Sequence, residues 1–305
     1  MQFPVVIAAQ GASLIEIVQS RSTEIRSLLN VFGAVLIRGA TVRDEREFAH
    51  SIQTFAPQLM ESNGEHNAVP GCNGVFTPVE YSSNQTLLWH NENSFDIEWP
   101  DIIAFCCHTL ARQGGETTLV DSCDLLRQLN QDIVAEFRSK GVRYIRTMGL
   151  ELGRTWQETF CTRDKLEFNA ICKQREYEVT WLSESVVRTT CLRPAVVRHH
   201  TGREAWFNQA QHWHPAALPP DVRLLLHNEL GAATALRNCT FGDGSIIPDD
   251  IMLQILDTYR HLQRSVDWQQ RDVLIVDNVL VAHGRNAFVG PRRLLVAMGK
   301  QELSG

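Results

Sequence analysis

The stretch QTLLWHNE, residues 85–92, combines a short apolar run with a terminal histidine and glutamate, His90 and Glu92. The run has the composition of a β-strand, and residues i and i+2 of a strand project from the same face of a sheet. An imidazole and a carboxylate placed in this way reach one metal ion together. The pair therefore indicates a metal site at the end of a strand.

The chain contains a second His-x-acid pair, His227 and Glu229, within DVRLLLHNEL at 221–230. This stretch is typical of a helix, in which side chains two positions apart point to different faces and do not converge on one ion. A chain with 11 histidines and 35 acidic residues contains about one such pair by chance. We therefore interpret His227 and Glu229 as part of a solvated helix surface.

A third ligand is expected at the end of the apolar run VLIVDNVLVAHG at 273–284. This composition predicts a buried strand, and the glycine after His283 suits a histidine that emerges into a site. Two histidines and one carboxylate form the facial triad of non-haem Fe(II) oxygenases, which leaves positions on the metal open for other ligands. His283 thus completes a candidate metal centre with His90 and Glu92.

Two adjacent arginines, Arg292 and Arg293, lie in NAFVGPRRLLVAMG at 286–299. Strand alternation places one on each face, so that one guanidinium faces inward and forms a bidentate pair with a carboxylate. A buried guanidinium without a partner is costly, and a bound acid would offset that cost. The alternative is that both arginines lie at the surface. Thr117 and Thr118, which follow a turn of two glycines, are candidate hydroxyl donors to the same anion.

Other histidines also lie close together in the sequence. Adjacent strand residues point to opposite faces, which argues against a shared site at His199 and His200. A later loop carries Asn208 and His212, which are candidate contacts to a substrate. The polar stretch ESNGEHNAVPGCNG at 61–74 is interpreted as a loop near the same pocket.

The composition is that of an ordinary globular protein, with 44% hydrophobic and 21% charged residues. The net charge of −6 leaves no basic surplus for nucleic acid. No apolar run approaches the roughly 20 residues that cross a bilayer, and no signal peptide is recognisable. Eight scattered cysteines without a C-x-x-C motif indicate reduced thiols. We therefore expect a cytoplasmic protein without membrane or nucleic-acid partners.

Periodicity along the chain predicts an α+β fold with a sandwich or barrel core. Helices are expected at 14–30, 43–56, 122–140, 219–236 and 248–264. Strands are expected at 34–39, 85–92, 102–110, 272–284 and 293–299, with a hairpin at 194–208. Ser122 is the predicted N-cap of the third helix, and Gly141 follows its end. The segment 142–200 has no clear period.

Three motifs occur in order: HNENSF at 90–95, GGETTLVD at 114–121 and AHGRNAFVGPRR at 282–293. Together they resemble the Fe(II)/2-oxoglutarate-dependent oxygenases of the taurine dioxygenase-like family, and most closely its clavaminate-synthase-like and syringomycin aspartate hydroxylase-like branch. The resemblance covers most of the chain, and it is the combination of motifs that is specific. It implies a double-stranded β-helix (jelly-roll) core with flanking and inserted helices.

The resemblance also implies the roles of individual residues. His90, Glu92 and His283 are expected to hold Fe(II). Thr117 and Arg293 are expected to bind 2-oxoglutarate. Arg293 is preferred to Arg292 because the familial pattern places this arginine second where two are adjacent. Many members carry another arginine four residues later, where this chain has Ala297. One contact to the co-substrate is therefore expected to be missing.

The activity implied by the resemblance is hydroxylation of an unactivated C–H bond with O₂ as co-substrate and release of succinate and CO₂. The branch acts mainly on amino acids, free or carried on a peptide-synthetase carrier domain, in secondary metabolism such as antibiotic biosynthesis. Glu92 argues against halogenation, because in halogenases a halide occupies the position on the metal that this carboxylate would take. Desaturation and cyclisation are alternatives to hydroxylation. Two alternatives of another class are a zinc hydrolase that activates water and a metal-binding jelly-roll protein without catalysis.

A shared metal ion bears on the number of domains. His90 and His283 must meet although most of the chain separates them, so residues 1–305 are expected to form a single oxygenase domain. Its expected parts are a helical and strand N-terminal part at 1–80 and a jelly-roll core at about 81–300, with insertions near 142–200 and 215–265.

Overall fold

The computed structural model describes residues 3–61, 66–78, 81–150, 153–230 and 236–301. Helices in these ranges are α1 (Leu14–Ser20), α2 (Ser22–Phe32), α3 (Glu45–Gln53), α4 (Ser122–Gln128), α5 (Gln131–Lys140), α6 (Trp156–Phe160), α7 (Lys165–Gln174), α8 (Ala210–Trp213), α9 (Pro220–Leu230) and α10 (Asp249–Leu262). A 3-10 turn, Pro215–Ala217, follows α8. Within the described ranges, no helix is long and apolar enough to cross a bilayer.

Short strands alternate with these helices along the chain. They are β1 (Val5–Ala8), β2 (Ala34–Arg38), β3 (Gln58–Leu59), β4 (Asn67–Ala68), β5 (Val75–Thr77), β6 (Leu87–His90), β7 (Ile102–Thr109), β8 (Gln113–Gly114), β9 (Thr117–Asp121), β10 (Val142–Met148), β11 (Glu178–Trp181), β12 (Val187–Arg193), β13 (Val196–Arg198), β14 (Glu204–Trp206), β15 (Arg237–Phe241), β16 (Arg264–Val266), β17 (Val273–Asp277), β18 (Val281–Arg285), β19 (Phe288–Val289) and β20 (Arg293–Lys300).

The larger sheet joins strands from the two ends of the chain. Its order is β1-β2-β17-β7-β20-β5-β4, and β3 pairs with β20. β1 and β2 are parallel, whereas β17 is antiparallel to both of its neighbours. One face of the sheet packs against α1, α2 and α3 through residues such as Val18, Ile25 and Phe48. The opposite face is covered as well, which is why β17 is apolar on both sides.

The smaller sheet has the order β16-β9-β18-β6 and packs against the larger one. Leu119 and Val281 of the smaller sheet share a buried core with Phe105 and Leu294 of the larger sheet. The outer face of the smaller sheet packs on α4, α5 and α10. Two sheets packed face to face with helices outside them form the predicted jelly-roll core.

The segments expected as insertions pair with each other in a third sheet. Its order is β11-β12-β10-β15, so that β10 lies between a strand of the first insertion and one of the second. A small core of aromatic rings, including Trp156, Phe168 and Trp181, joins α6 and α7 to this sheet. Regular structure thus fills much of 142–200, a segment whose sequence has no clear period.

Two predicted helices are each divided in the structure. The stretch 14–30 forms α1 and α2, because Arg21 leaves the helical conformation with φ −117 and ψ 19. The stretch 122–140 forms α4 and α5, because Leu129 is extended. The side chain of Asn130 then accepts a hydrogen bond from a backbone amide and starts the second helix. Both corrections concern a single non-helical junction within an otherwise helical stretch.

The sequence predicts Ser122 as the N-cap of α4, but in the structure the N-cap is Asp121. The carboxylate of Asp121 accepts hydrogen bonds from the backbone amides of Cys123 and Asp124, both at 2.8 Å. A carboxylate also complements the positive end of the helix dipole, which a hydroxyl does not. Gly141 lies directly after α5 with φ 68, as predicted.

Most of the other predicted elements are confirmed. They are the helices near 43–56 and 248–264, the strands near 34–39, 85–92, 102–110 and 293–299, and the hairpin at 194–208. The run 272–284 is two strands joined by a turn. The helix expected at 219–236 is confirmed as far as Leu230 and includes positions 227 and 229, while 231–235 lie outside the described residues.

Candidate metal centre

Two neighbouring strands bring the predicted metal ligands together. β6 ends at His90, and it pairs with β18 so that His90 lies directly opposite His283. Glu92 follows two residues after the end of β6. One donor atom from each of the three side chains lies within 4.8 Å of the other two. The structure therefore assembles two imidazoles and one carboxylate, the donor set that suits non-haem iron.

Hydrogen bonds fix the orientation of the first imidazole. Nδ1 of His90 donates to the carbonyl oxygen of Leu88 at 2.9 Å, since a carbonyl only accepts. Nε2 of His90 lies 3.7 Å from Oε2 of Glu92. A ligand imidazole held through its other nitrogen keeps one tautomer and one ring orientation, as is usual in metal sites.

The second imidazole is buried with one of its polar atoms unsatisfied. Nδ1 of His283 has no hydrogen-bond partner among the described residues. Its ring centroid lies 4.4 Å from that of His90 and 5.2 Å from that of Phe105. Burial lowers the pKa of His283 well below its ordinary value, and the charge of His90 lowers it further. A neutral imidazole with a buried, unpaired nitrogen fits a metal ion, because ligands must be deprotonated.

The carboxylate of Glu92 is buried and charged. Burial alone would raise its pKa, but the charge of His66 and the hydrogen bond and charge of His90 outweigh burial and hold the pKa well below its usual range. A buried negative charge requires a cation or donors close by. The chemistry of the three side chains therefore fits a divalent cation.

His66 is a further histidine at the site that sequence patterns did not single out. Its Nδ1 lies 3.9 Å from Oε1 of Glu92, and its ring meets Phe76 edge-on. It belongs to the loop 61–74, which is predicted to lie near the pocket. No characteristic spacing relates His66 to the other histidines. The sequence therefore predicted that this loop lies near the pocket, but it did not indicate His66.

The two adjacent arginines face opposite sides of the larger sheet. Arg293 points toward the helical layer, where its Nη2 donates to Oε1 of Glu45 on α3 at 3.0 Å. Leu294 belongs to the core between the two sheets. Arg292, which directly precedes β20, instead bonds the carbonyl oxygen of Gly115 in the turn before β9 of the smaller sheet, and so lies on the side of that core. The position of Arg293 does not support the preference for it as the 2-oxoglutarate anchor.

Arg292 is partly buried and has no ion pair among the described residues. Its Nε donates to the carbonyl oxygen of Gly115 at 2.9 Å, and its guanidinium lies 5.6 Å from the Phe288 ring centroid. The described residues offer it no ion pair. Burial and the charge of Arg285 together lower the pKa of Arg292 to about 10. A guanidinium in this position is stabilised by a bound carboxylate.

Thr117 lies on the same side of the smaller sheet as the metal centre. It pairs with Arg285 across the ladder, two residues from His283 on β18. Its hydroxyl accepts a hydrogen bond from Nε1 of Trp268 at 3.1 Å and keeps its own hydrogen for another acceptor. Trp268, which the sequence did not single out, thus orients Thr117 as a donor.

The glycine pair before Thr117 is required by close approach of the backbone. Gly114 and Gly115 have φ values of 70 and 78, a region that disfavours other residues. A Cβ on Gly114 would lie 2.2 Å from the carbonyl oxygen of Ala287, and one on Gly115 would lie 2.9 Å from Cδ of Arg292. The turn therefore shapes the surroundings of the buried guanidinium.

The two expected substrate contacts, Asn208 and His212, both hydrogen-bond to backbone groups of the protein. The amide of Asn208 donates to the carbonyl oxygen of Ala195 and accepts from the backbone of Ala210. Nε2 of His212 lies 2.7 Å from the Leu88 carbonyl oxygen, and burial lowers the pKa of His212 to about 3. Asn208 is fully buried, whereas His212 is partly buried and its ring centroid lies 4.9 Å from that of His90.

Comparison with known proteins finds relatives over nearly the whole chain. A model of the taurine catabolism dioxygenase TauD, TfdA family matches residues 3–298. The dapdiamide synthesis protein DdaC of Enterobacter agglomerans is 36% identical over 276 residues, which are 90% of this chain and 84% of DdaC. A clavaminate synthase-like protein of Arabidopsis thaliana is 26% identical over 320 residues, which span 98% of this chain and 94% of that protein.

A solved structure has a similar fold. PvcB of Pseudomonas aeruginosa, described as an Fe, alpha-ketoglutarate dependent oxygenase from an isonitrile synthetic pathway, matches with a TM-score of 0.55. The match covers 96% of this chain and 85% of PvcB at 16% sequence identity. At this identity the similarity shows the fold alone, which agrees with the jelly-roll core described above.

Proposed function

Because the chain belongs to the taurine catabolism dioxygenase TauD, TfdA family, it is an Fe(II)/2-oxoglutarate-dependent oxygenase, and we propose that it hydroxylates an unactivated C–H bond of an amino acid or amino-acid derivative. Membership of this family agrees with the class that the three sequence motifs imply. It also decides against the zinc hydrolase and the non-catalytic binding protein.

In this proposal His90, Glu92 and His283 hold the iron. The observation that carries it is the convergence of their donor atoms within 4.8 Å in a buried site, with Nδ1 of His283 left unpaired. Iron bound there, with O₂ and 2-oxoglutarate, supplies the oxidative decarboxylation that yields succinate and CO₂ and oxidises the substrate. The protein holds the ligands in register through the β6–β18 ladder and keeps water out with rings such as Phe105.

We assign the far carboxylate of 2-oxoglutarate to Arg292 and Thr117. The support is that Arg292 is partly buried without an ion pair among the described residues, and that Thr117 is buried and retains a free hydroxyl hydrogen. The guanidinium supplies a charge-assisted bond, and Thr117 a neutral one. This assignment replaces the expectation for Arg293, whose guanidinium already bonds Glu45.

The cofactor class is tested by adding Fe(II) and 2-oxoglutarate to the protein in the absence of O₂. We expect a visible charge-transfer absorption band that needs both components, because the keto acid binds the metal directly. Fe(II) with succinate, which lacks the keto group, is the matched control and gives no band. A well-folded protein that shows no band with Fe(II) and 2-oxoglutarate would contradict the proposed site.

The candidate site for an amino-acid substrate is a cavity lined in part by Asn93 and Asp96. It begins at Asn93, directly after Glu92, and extends between α6, α7 and the third sheet. Its lining carries charges of both signs, from Asp96, Arg146 and Arg175. An α-amino and an α-carboxylate group require this combination. A relative of 36% identity is named for dapdiamide synthesis, which is consistent with a role in secondary metabolism.

We expect Asp96→Asn to raise the KM for an amino-acid substrate about tenfold or more, because a charged hydrogen bond to the ammonium group is lost. Asp96 is buried, and its carboxylate lies 3.2 Å from Arg175. Glu98 also lies near Arg175, at 3.6 Å, but its side chain is 56% exposed. Glu98→Gln is therefore the control and leaves the KM unchanged. Equal KM values for the two variants, measured by succinate release, would remove Asp96 from the substrate site.

Substrate identity and reaction outcome require a screen. Free amino acids and their carrier-bound forms, incubated with Fe(II), 2-oxoglutarate and O₂, are expected to stimulate succinate release if they are substrates. Mass spectrometry of the product distinguishes hydroxylation, a gain of one oxygen, from desaturation or cyclisation, a loss of two hydrogens.

We further propose a cytoplasmic location, because all eight cysteines are free thiols and seven of them are buried.

A further inference from the structure

We infer that Asn278 positions Glu92 and thereby sets the affinity of the metal centre, an inference that rests on the proposed function of Glu92 as a ligand. Asn278 lies in the turn between β17 and β18 and is fully buried. Both polar atoms of its side chain bond backbone groups, so the amide is not itself a metal ligand. Its effect on the metal is therefore transmitted through Glu92.

Glu92 lies beyond the end of the ladder that pairs the two histidines. β6 ends at His90, and the ladder with β18 pairs His90 with His283 but does not extend to Glu92. Isolated backbone groups in a buried segment need hydrogen bonds from elsewhere. Without such bonds the carboxylate would be attached to a segment free to shift relative to the two imidazoles.

The side chain of Asn278 supplies those bonds on both sides of Glu92. Its Oδ1 accepts from the Glu92 amide at 2.7 Å, and its Nδ2 donates to the Glu92 carbonyl oxygen at 2.9 Å. The same Nδ2 donates to the carbonyl oxygen of Pro100 at 2.9 Å. One primary amide thus imitates a neighbouring strand for the ligand residue.

Asn278 is itself held in place by several contacts. Its backbone amide donates to the carbonyl oxygen of Asp101, and its carbonyl oxygen accepts from Nδ2 of Asn91 at 2.6 Å. Asp277 fixes the start of the turn, because its Oδ1 accepts from two backbone amides and its Oδ2 lies 3.0 Å from Nε2 of His199. β18, which carries His283, begins three residues after Asn278. The turn therefore fixes the distance between the Glu92 carboxylate and the His283 imidazole.

The test measures Mn(II) affinity of the metal-free protein, by electron paramagnetic resonance of unbound Mn(II), at a temperature where each variant is folded. Asn278→Ala is expected to weaken Mn(II) binding ten- to a hundredfold, the range typical of residues that orient metal ligands. Asn278→Asp, which keeps the size and the acceptor but lacks both donors, is a second variant in case the alanine variant does not fold. It is expected to weaken binding as well, because the Glu92 carbonyl oxygen loses its donor.

Asn208→Ala is the matched control for a purely structural effect. Asn208 is also fully buried and also bonds two backbone groups, but neither belongs to a metal ligand. It is expected to lower the melting temperature and to leave Mn(II) affinity unchanged. The absorption spectrum of bound Co(II), which reports ligand geometry, is expected to change with Asn278→Asp and not with Asn208→Ala.

Two results would overturn the inference. One is Mn(II) affinity within about twofold of the unaltered protein for a folded Asn278 variant, well below the effect of ligand-orienting residues. The other is an equal loss of affinity in Asn208→Ala. Failure of the unaltered protein to bind Mn(II) would instead contradict the proposed metal site itself.

Discussion

Replacing Glu92 by alanine is expected to abolish the charge-transfer band of the Fe(II)–2-oxoglutarate complex and to reduce succinate formation to background. The variant leaves two buried imidazoles and removes the only carboxylate of the ligand group. Because the anionic ligand offsets much of the charge of a divalent cation, its loss weakens binding far more than the loss of a residue outside the ligand set. Absorbance under anaerobic conditions and a coupled succinate assay measure the two effects. His283→Ala is expected to give the same result.

Glu229→Ala is the matched control for this prediction. Glu229 is the acid of the second His-x-acid pair, which lies in α9 and not at the end of a strand. We expect this variant to keep both the band and succinate formation. Loss of activity in Glu229→Ala with retention in Glu92→Ala would mean that the metal centre lies elsewhere.

Replacing Arg292 by methionine is expected to raise the KM for 2-oxoglutarate about ten- to a hundredfold, because a charged hydrogen bond of roughly 1.5–3 kcal/mol is lost. The KM for the primary substrate is expected to change little. Arg292 has no acidic partner among the described residues, so its loss removes a contact to the ligand and no ion pair of the fold. Steady-state kinetics with 2-oxoglutarate as the varied substrate measure the effect.

Arg293→Met is the control, and it differs from the first variant by one position. Arg293 bonds Glu45 with a side chain that is 40% exposed. Its loss is expected to cost about 1 kcal/mol of stability or less, as for other surface ion pairs, and to leave the KM for 2-oxoglutarate unchanged. The reverse result, a large KM effect for Arg293 and none for Arg292, would restore the assignment that the familial pattern implies.

The choice between the two arginines shows where sequence information ends. β20 is apolar on both faces, because one face packs on helices and the other on the smaller sheet. Its sequence therefore has no alternation from which the inward face can be deduced. The i, i+2 spacing predicted that His90 and Glu92 reach one metal ion. The structure brings both side chains to one site, but β6 ends at His90 and Glu92 lies in the turn that follows.

The divided helices have a different cause. Apolar periodicity continues through 122–140 although Leu129 is extended, so the period alone gives no sign of the junction. Asn130 is a favourable N-cap residue and was an available signal for the start of a second helix.

His66 and Asn278 could not be predicted, because each is brought to Glu92 by tertiary structure and neither has a characteristic spacing. The single domain stays a prediction, supported by the pairing of β2 with β17.

The strand order of the two core sheets has a consequence for synthesis on the ribosome. β17 fills the place between β2 and β7, and β18 fills the place between β9 and β6. A nascent chain that ends before residue 273 therefore exposes the edges of strands made much earlier, and open edges favour aggregation. We expect truncated chains of this length to be insoluble. The iron site would then be among the last parts of the molecule to form, and metal loading would follow release of the finished chain.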